Sequence, residues 1–433
     1  ENAKGAWRDV SLSPAVDTSK GVTSSLRFLL VDARLALRNV LRQKRRSYIA
    51  ILAIGFGVVA MMLSAGFIEW ILQETREDAI ANQYGHIQIV RPGYHDDGLA
   101  DPFAFLLPDT APALSVLEQT PGVETIAPRL QFNGLVSHGE STLSFIGEGV
   151  DPANDPALRN LHVVEGKLLS PDDSKGILMG VGLADNLGVK TGDTVVLLVN
   201  TASGGINAVE GKVTGLTFTS MKAIDDSILR ISIGMARDLL RVSGSHVWVT
   251  TLQRTEMTDD VLARLKTEDA FQPYEIVPWT KLADFYNKTV ELFSRQIGVV
   301  KLIIAIIIVL SISNTMTMNV MERTVEIGTA MALGVRRQRI LMLFLLEGLL
   351  VGLLGGGIGI GIGYLLALLA STIGIPMPPA PGMTEGFDAA IIVTPEIVLD
   401  AAALSIMTTL IASVYPSWRA SRLVIVEALR HNR

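Results

Sequence analysis

The sequence predicts an integral membrane protein with four transmembrane α-helices and a large extracytoplasmic α+β domain inserted between the first and second of them. Three observations predict it. Four stretches are nearly free of charge and long enough to cross a bilayer core, which takes about 20 apolar residues. The polar region between the first two, roughly 220 residues long, carries short β-type runs and turn signals of a globular domain. Arginines crowd some connecting loops and are missing from others, which orients the spans. A chain of 433 residues, 49% hydrophobic, has room for one soluble domain plus several spans.

Residues 1–25 are polar and rich in Ser, Thr, Gly and Pro, and read as a flexible N-terminal tail. From 26 to 46, Leu26, Leu29, Leu30, Leu37, Val40 and Leu41 recur at roughly helical spacing between Arg27, Arg34, Arg38 and Arg42. This predicts an amphipathic cytoplasmic helix on an anionic membrane surface, leading into the first span. Lys44, Arg45 and Arg46 then hold the near end of that span, 47–73, in the cytoplasm. Leu63 to Gly66 superficially resembles a lipoprotein processing site, but Phe67 stands where the required cysteine would be.

Between 74 and 295 the runs His86 to Val90 and Thr194 to Val199 read as strands, and Thr258 to Lys266 as a helical patch. The second span, 296–321, has Lys301 placed to snorkel at its outer edge. Its Ser311, Ser313, Asn314, Thr315 and Thr317 are expected to hydrogen-bond between helices. The third span, 340–373, is interrupted by Glu347 alone. Its glycines, among them Gly352, Gly356, Gly359 and Gly363, include pairs four apart, which predicts close helix packing within the subunit or at a dimer seam. A Pro-rich outer loop, 374–390, follows, read as a structural turn or as a surface for lipid or a partner. The fourth span, 391–416, starts with a capping signal, Thr394-Pro395-Glu396.

The loops set the orientation. Arg323, Arg336, Arg337 and Arg339 lie between spans two and three, and Arg419, Arg422, Arg430 and Arg433 in the tail, 417–433, whereas 374–390 holds neither Lys nor Arg. Both termini are therefore expected inside and the large domain outside. Glu347 and Asp400 fall within spans, where an ionisable group costs about 2.5 to 3.5 kcal/mol, so each is a candidate intramembrane functional residue. Each also lies close enough to a span end to reach interfacial water.

The cytoplasmic link, 322–339, is the most informative segment. Ile327, Ala330, Met331 and Gly334 share one helical face, with Glu322, Arg323 and Glu326 near the start. Such a helix offers a small apolar face and a polar fork to a groove on a partner. A solvated connector is the other reading.

The pattern E-R-x-x-E-I-G-x-x-x-A-L-G-x-x-R formed by Glu322, Arg323, Glu326, Ile327, Gly328, Ala332, Leu333, Gly334 and Arg337 resembles the coupling segment of the MacB/FtsX-like permease family, which includes macrolide exporters and lipoprotein-releasing permeases. Ala36 through Arg46, Tyr415 through Ala420, and Glu427 through Arg430 resemble further signatures of that family. So do Glu165-Gly166-Lys167 and Gly182 through Asp193 in the inserted domain. The resemblance implies a permease dimer, of identical or different copies, docked on a separate ABC ATPase dimer that carries ATP and Mg. The coupling segment would pass ATPase motion to the spans. It implies a place in the bacterial inner membrane, and a periplasmic carrier or adaptor as a further partner. Movement or extraction of an amphiphile, a lipoprotein or lipid foremost, is the function expected. The alternative is an FtsX-like mechanotransmission scaffold that activates a periplasmic partner and transports nothing.

The residues themselves point away from catalysis. The nearest match to a phosphate-binding loop, Val209 to Val213, has Ile206 where the first glycine should be and Val213 where a Ser or Thr should hold magnesium. The six histidines, 86, 95, 138, 162, 246 and 431, show no metal spacing, and Asp96-Asp97 and Asp225-Asp226 read as loop charges. No cysteine is present to build a disulfide or a thiolate site. The net charge of -6, without a dominant basic face, excludes nucleic acid as a partner.

Overall fold

The computed structural model describes residues 35–36, 38–39, 42, 44–98, 100–159, 161–219, 222–379 and 386–425. The expected tail 1–25, most of the helix expected at 26–46, part of the Pro-rich loop and the end of the C-terminal tail lie outside the described residues. Contacts divide the chain into two units. One gathers 1–67, 295–372 and 391–433; the other gathers 68–294 and 373–390.

The first unit is a helical bundle built on α1 (Lys44–Ala79), α2 (Asp284–Glu322), α3 (Thr324–Ala332), α4 (Arg337–Ile373) and α5 (Pro395–Ser421). All but α3 are long and apolar enough to cross a membrane. At 1.5 Å per residue, α1 and α2 run roughly 54 and 59 Å, well beyond a hydrocarbon core of about 30 Å. The helices run past the expected spans. The helix that contains 47–73 is Lys44–Ala79, and the helix that contains 296–321 begins at Asp284. Charged residues such as Glu74, Glu77, Lys288 and Glu291 belong to these extensions, because a helix keeps its backbone bonded whether or not lipid surrounds it. The fourth helix continues through Pro416 to Ser421 instead of ending at 416. Within membrane bundles, neighbouring hydroxyls and packing make an internal proline tolerable.

The bundle core has a layered pattern. From α2, Ile304, Ile308, Ile312, Met316 and Val320 repeat every four residues and are buried. They meet Ile54, Val58 and Met62 of α1 and Phe344 and Val351 of α4 in one cluster. Helix α4 uses its glycines on two faces. A Cβ on Gly348, Gly352 or Gly356 would run into Ser413, Thr409 and Ser405 of α5, respectively. A Cβ on Gly355 or Gly359 would meet Ile54 or Val58 of α1, and on Gly363, Met62. These contacts lie within one chain, so Gly352, Gly356, Gly359 and Gly363 pack inside the subunit, the first of the two uses expected of them. Gly357 and Gly361 face open space.

The hydroxyls of α5 bond within their own helix: Ser413 Oγ donates to Thr409 O at 2.6 Å and Thr409 Oγ1 to Ser405 O at 2.8 Å. Span-two hydroxyls behave the same way, with Thr315 bonding Ser311 O and Thr317 bonding Ser313 O. For Thr315 and Thr317 the expected interhelical bond is replaced by one to the carbonyl one turn back, which a short hydroxyl reaches without a partner helix. Thr394 caps α5 as expected, accepting from Ile397 N–H.

The second unit is α+β. Its strands are β1 (Ile87–Val90), β2 (Val123–His138), β3 (Ser141–Val150), β4 (His162–Gly166), β5 (Gly176–Gly180), β6 (Thr194–Asn200), β7 (Ile206–Phe218), β8 (Ile228–Ser232), β9 (Val247–Leu252) and β10 (Glu275–Pro278). Strand β2 is shared. Its residues Val123–Arg129 pair with β9 in an antiparallel sheet ordered β10-β1-β9-β2, and Leu130–His138 pair with β3. From β3 the pairing runs through β8, β5, β7 and β6 and returns to β2, closing a six-stranded ring. Closure removes exposed edges from those six strands. Val195, Leu197 and Val199 of β6 alternate inward and join Leu130, Ile177, Leu229 and Ile231 in its core.

Helices Pro112–Gln119 and Thr258–Leu265 cover the open sheet over Ile87, Ile89, Trp248 and Leu252. Where the two halves of β2 meet, Arg129 makes a bidentate pair with Asp155, at 2.7 and 2.6 Å, and donates to Gln83 O at 2.7 Å. His246, fully buried just before β9, accepts from Gln131 N–H through Nδ1, which leaves the ring proton on Nε2, and stacks on Tyr94. Burial pushes the His246 imidazole down to about 4.

Candidate functional site

The site forms where α2 ends. Thr324 Oγ1 bonds the carbonyls of Val320 and Met321, the chain turns at Arg323, and α3 begins. Helix α3 buries Thr324, Ile327, Gly328 and Met331, a stripe at i, i+3, i+4 and i+7. It ends in Gly334 at φ 93, a left-handed conformation that favours glycine, with Val335 N–H closing on Ala330 O. This geometry corrects the expected partner face. Ile327, Gly328 and Met331 pack into the chain's own bundle, because that stripe is the only long apolar one the helix has. The surface left open is Glu322, Glu326, Thr329, Ala332, Leu333 and Gly334, with Leu333 82% exposed.

Charges tie α3 to two other segments. Glu322 pairs with Arg46 at 2.5 Å and Glu326 with Arg42 at 2.6 Å. The two acids are four residues apart and so are the two arginines, in opposite order, as antiparallel helices require. Arg323 Nε donates to Glu326 at 3.2 Å and its Nη1 to Glu347 of α4 at 2.8 Å, while its guanidinium lies over the Phe344 ring. Asn39 completes the set with a 2.6 Å bond to the same Glu347 oxygen.

Exposed pairs such as Arg42–Glu326 are worth about 1 kcal/mol or less. Arg323–Glu347 differs, since its side chains are 13% and 5% exposed. Breaking a buried pair by removing one partner costs about 3–5 kcal/mol. Glu347 therefore does not reach interfacial water. At Glu326, partial burial works to raise the carboxyl, but hydrogen bonds and charge from Arg42 and Arg323 outweigh it and hold the group below the usual carboxylate range.

A cavity of about 20 Å³, room for a single water, adjoins Glu347 and is lined by Asn39, Ser47, Thr315 and Asn319 among others. Asp400, the other ionisable span residue, is not part of this cluster; it pairs with Lys301 at 2.5 Å on α2. Lys301 therefore holds a partner helix rather than only snorkelling. Val209 to Val213 lie inside β7, where no loop exists to cradle a phosphate. Among the described residues no group of three or more His, Cys, Asp or Glu is arranged to hold a metal.

The sequence names Glu322, Arg323, Glu326 and Glu347 as candidates, whereas Asn39, Arg42 and Arg46 enter there only within the entry helix and its family resemblance, with no role at this site. The matched four-residue spacing of opposite charges was the sign available.

Four apolar helices around an ion-paired amphipathic link, with an α+β domain inserted between the first two, define an integral membrane protein. Residues 47–269 match the MacB-like periplasmic core domain and residues 298–425 the FtsX-like permease C-terminal domain. The chain belongs to this MacB/FtsX-like permease family. It is 22% identical over 442 residues to the lipoprotein-releasing system transmembrane protein LolC of Neisseria meningitidis, covering 93% of this chain and 99% of that one. It is 25% identical over 337 residues to the macrolide export ATP-binding/permease protein MacB of Campylobacter jejuni, covering 72% of this chain and 50% of that one. An uncharacterized ABC transporter permease of Methanocaldococcus jannaschii is 22% identical over 335 residues, covering 72% of this chain and 77% of that protein. The chain is thus an ABC transporter permease of the LolC and MacB type, an inner-membrane protein with a periplasmic domain.

Proposed function

We propose that this chain is a permease subunit driven by a separate ABC ATPase dimer, and that two permease copies use the stroke to move or extract a lipoprotein or lipid at the periplasmic face of the inner membrane. ATP and Mg would bind the ATPase. The termini and α3 lie on the cytoplasmic side in this reading, with Ala332, Leu333 and Gly334 as the docking tip. The observation that carries it is the ion-paired chain from α3 to Glu347: a push on α3 is delivered through Arg323 to a carboxylate fixed inside α4. Glu322 and Glu326 clamp the lever internally instead of contacting the ATPase. The amphiphile assignment is supported by the likeness to LolC along nearly the whole of both chains, against half of MacB.

The chain has no cysteine, so Leu333→Cys supplies one clean label. It should react with a membrane-impermeant maleimide only in inside-out vesicles and crosslink to the ATPase. Leu333→Glu should lower ATP-dependent activity by roughly tenfold or more, as loss of a buried anchor does. Labelling from the periplasmic side, or normal activity of Leu333→Glu, would end the proposal.

A further inference from the structure

We propose that the Lys301–Asp400 pair is a recognition site for the headgroup of a primary-amine phospholipid of the phosphatidylethanolamine type. The two residues join α2 to α5 at 2.5 Å, with side chains 33% and 57% exposed, so the pair lies on the outer surface of the bundle rather than in its core. The uncharged run from Leu302 to Met321 starts directly after Lys301, and Asp400 lies less than two turns into α5. Both charges therefore stand at one end of the apolar zone, at headgroup level.

The pair leaves most of its hydrogen-bonding capacity open. An ammonium has three donors and a carboxylate two acceptor oxygens, and the pair uses one contact from each, Nζ to Oδ2. Glu396, also exposed, is one turn before Asp400 on the same face of α5. Two carboxylates beside one ammonium complement a ligand that carries a primary amine next to a phosphate. The amine donates to Asp400 and Glu396, and the phosphate accepts from Lys301. Continuing down that face come Ala403 and Met407, both exposed, a shallow lane with a flexible thioether that suits an acyl chain. A phosphocholine headgroup has no N–H to donate, and phosphoglycerol has no cation for the carboxylates. The site therefore discriminates by headgroup chemistry and not by chain length.

This inference rests on the membrane placement of the spans in the proposed function, but its test uses no ATP, so the two fail separately. The full chain is placed in nanodiscs of phosphatidylethanolamine, phosphatidylcholine and phosphatidylglycerol in equal parts, extracted, and its retained lipids are measured by native mass spectrometry. Phosphatidylethanolamine should be enriched over the others by about fivefold, the factor an exposed charge contact of about 1 kcal/mol supplies. Asp400→Asn and Lys301→Gln should each abolish the enrichment and Lys301→Arg should keep it. Glu396→Gln, which leaves the interhelical pair intact, should halve it or more, and serves if Asp400→Asn does not fold. Soluble phosphoethanolamine added in excess should displace little of the lipid, since it lacks the acyl chain. Equal retention of the three lipids by the unaltered chain, or full enrichment in both Asp400→Asn and Glu396→Gln, would overturn the inference.

Discussion

Replacing Arg323 by methionine tests the ion-paired chain at its most constrained link. The change leaves Glu347 with a side chain 5% exposed and the Asn39 amide as its remaining partner among the contacts described. A buried carboxylate stripped of its cation is expected to cost about 3–5 kcal/mol. Glu347→Gln should cost less, about 1–3 kcal/mol, because Arg323 keeps Glu326 at 3.2 Å and the Phe344 ring face. Glu326→Gln removes only exposed contacts and should stay within about 1 kcal/mol. The double variant Arg323→Met with Glu347→Met should recover most of the loss, since no buried charge is then left alone. Equilibrium unfolding of the detergent-solubilised chain reads all four, and with the single variant Glu347→Met it closes the cycle that isolates the pair. The reasoning fails if Arg323→Met is no worse than Glu326→Gln, or if the double variant costs the sum of the single ones.

Two further outcomes follow from the packing and from titration. Gly352→Ala drives a Cβ into Thr409 Oγ1, and should destabilise the bundle by about 1–3 kcal/mol, whereas Gly361→Ala, facing open space, should stabilise α4 by up to about 1 kcal/mol; the same unfolding assay orders them. His246 titrates at about 4 in the fold against an ordinary 6.5, so above 6.5 it is neutral folded or unfolded, and between 6.5 and 4 the unfolded chain alone takes up the proton. Stability of the periplasmic domain should therefore fall by up to about 3 kcal/mol across that window, a slope that His246→Gln removes in hydrogen-exchange measurements on β9.

The spans were legible because lipid imposes a composition on every residue that faces it, and the glycine rows because close helix approach leaves few alternatives. Helix lengths were not. Phe285, Leu292 and Glu291 look like domain residues in a linear reading, yet they continue α2 without a break. The closed ring of β2, β3, β8, β5, β7 and β6 was equally hidden, because which strands pair is decided by tertiary register while each strand shows only alternation. At the site, the residue types on α3 were readable and their directions were not. An amphipathic helix of nine residues has one apolar stripe, and whether its own bundle or a partner takes that stripe depends on chains packed nearby. Arg42 and Arg46 illustrate the same gap: the positive-inside tendency already explains their presence, so their four-residue spacing, matched by Glu322 and Glu326, was an available but not a compelling sign of pairing.

The two kinds of contact in the bundle imply a division of mechanical roles. Helix α4 touches α1 and α5 through glycines, with backbones close enough that a single added Cβ would collide on either side. Such contacts are short-ranged, forfeiting about a quarter to a half of their attraction over a gap of about 0.5–1 Å, so α1, α4 and α5 resist relative sliding. Helix α2 is the least buried of the four spans and holds on by one row of large side chains, Ile304, Ile308, Ile312, Met316 and Val320. Side chains of this size hold the α2 backbone farther from its neighbours than a glycine seam does, although the β-branched ones are themselves stiff. At the end of α2 the tie to the rigid group is electrostatic, and a charge attraction falls only as the inverse of distance. It therefore holds over displacements that would open a packed seam. Force applied to α3 is then expected to displace α2 against α1, α4 and α5 while Arg323 keeps its hold on Glu347. Disulfide locking separates this from whole-bundle tilting: a crosslink between α2 and α4 should abolish ATP-dependent activity, and one between α4 and α5 should leave it intact.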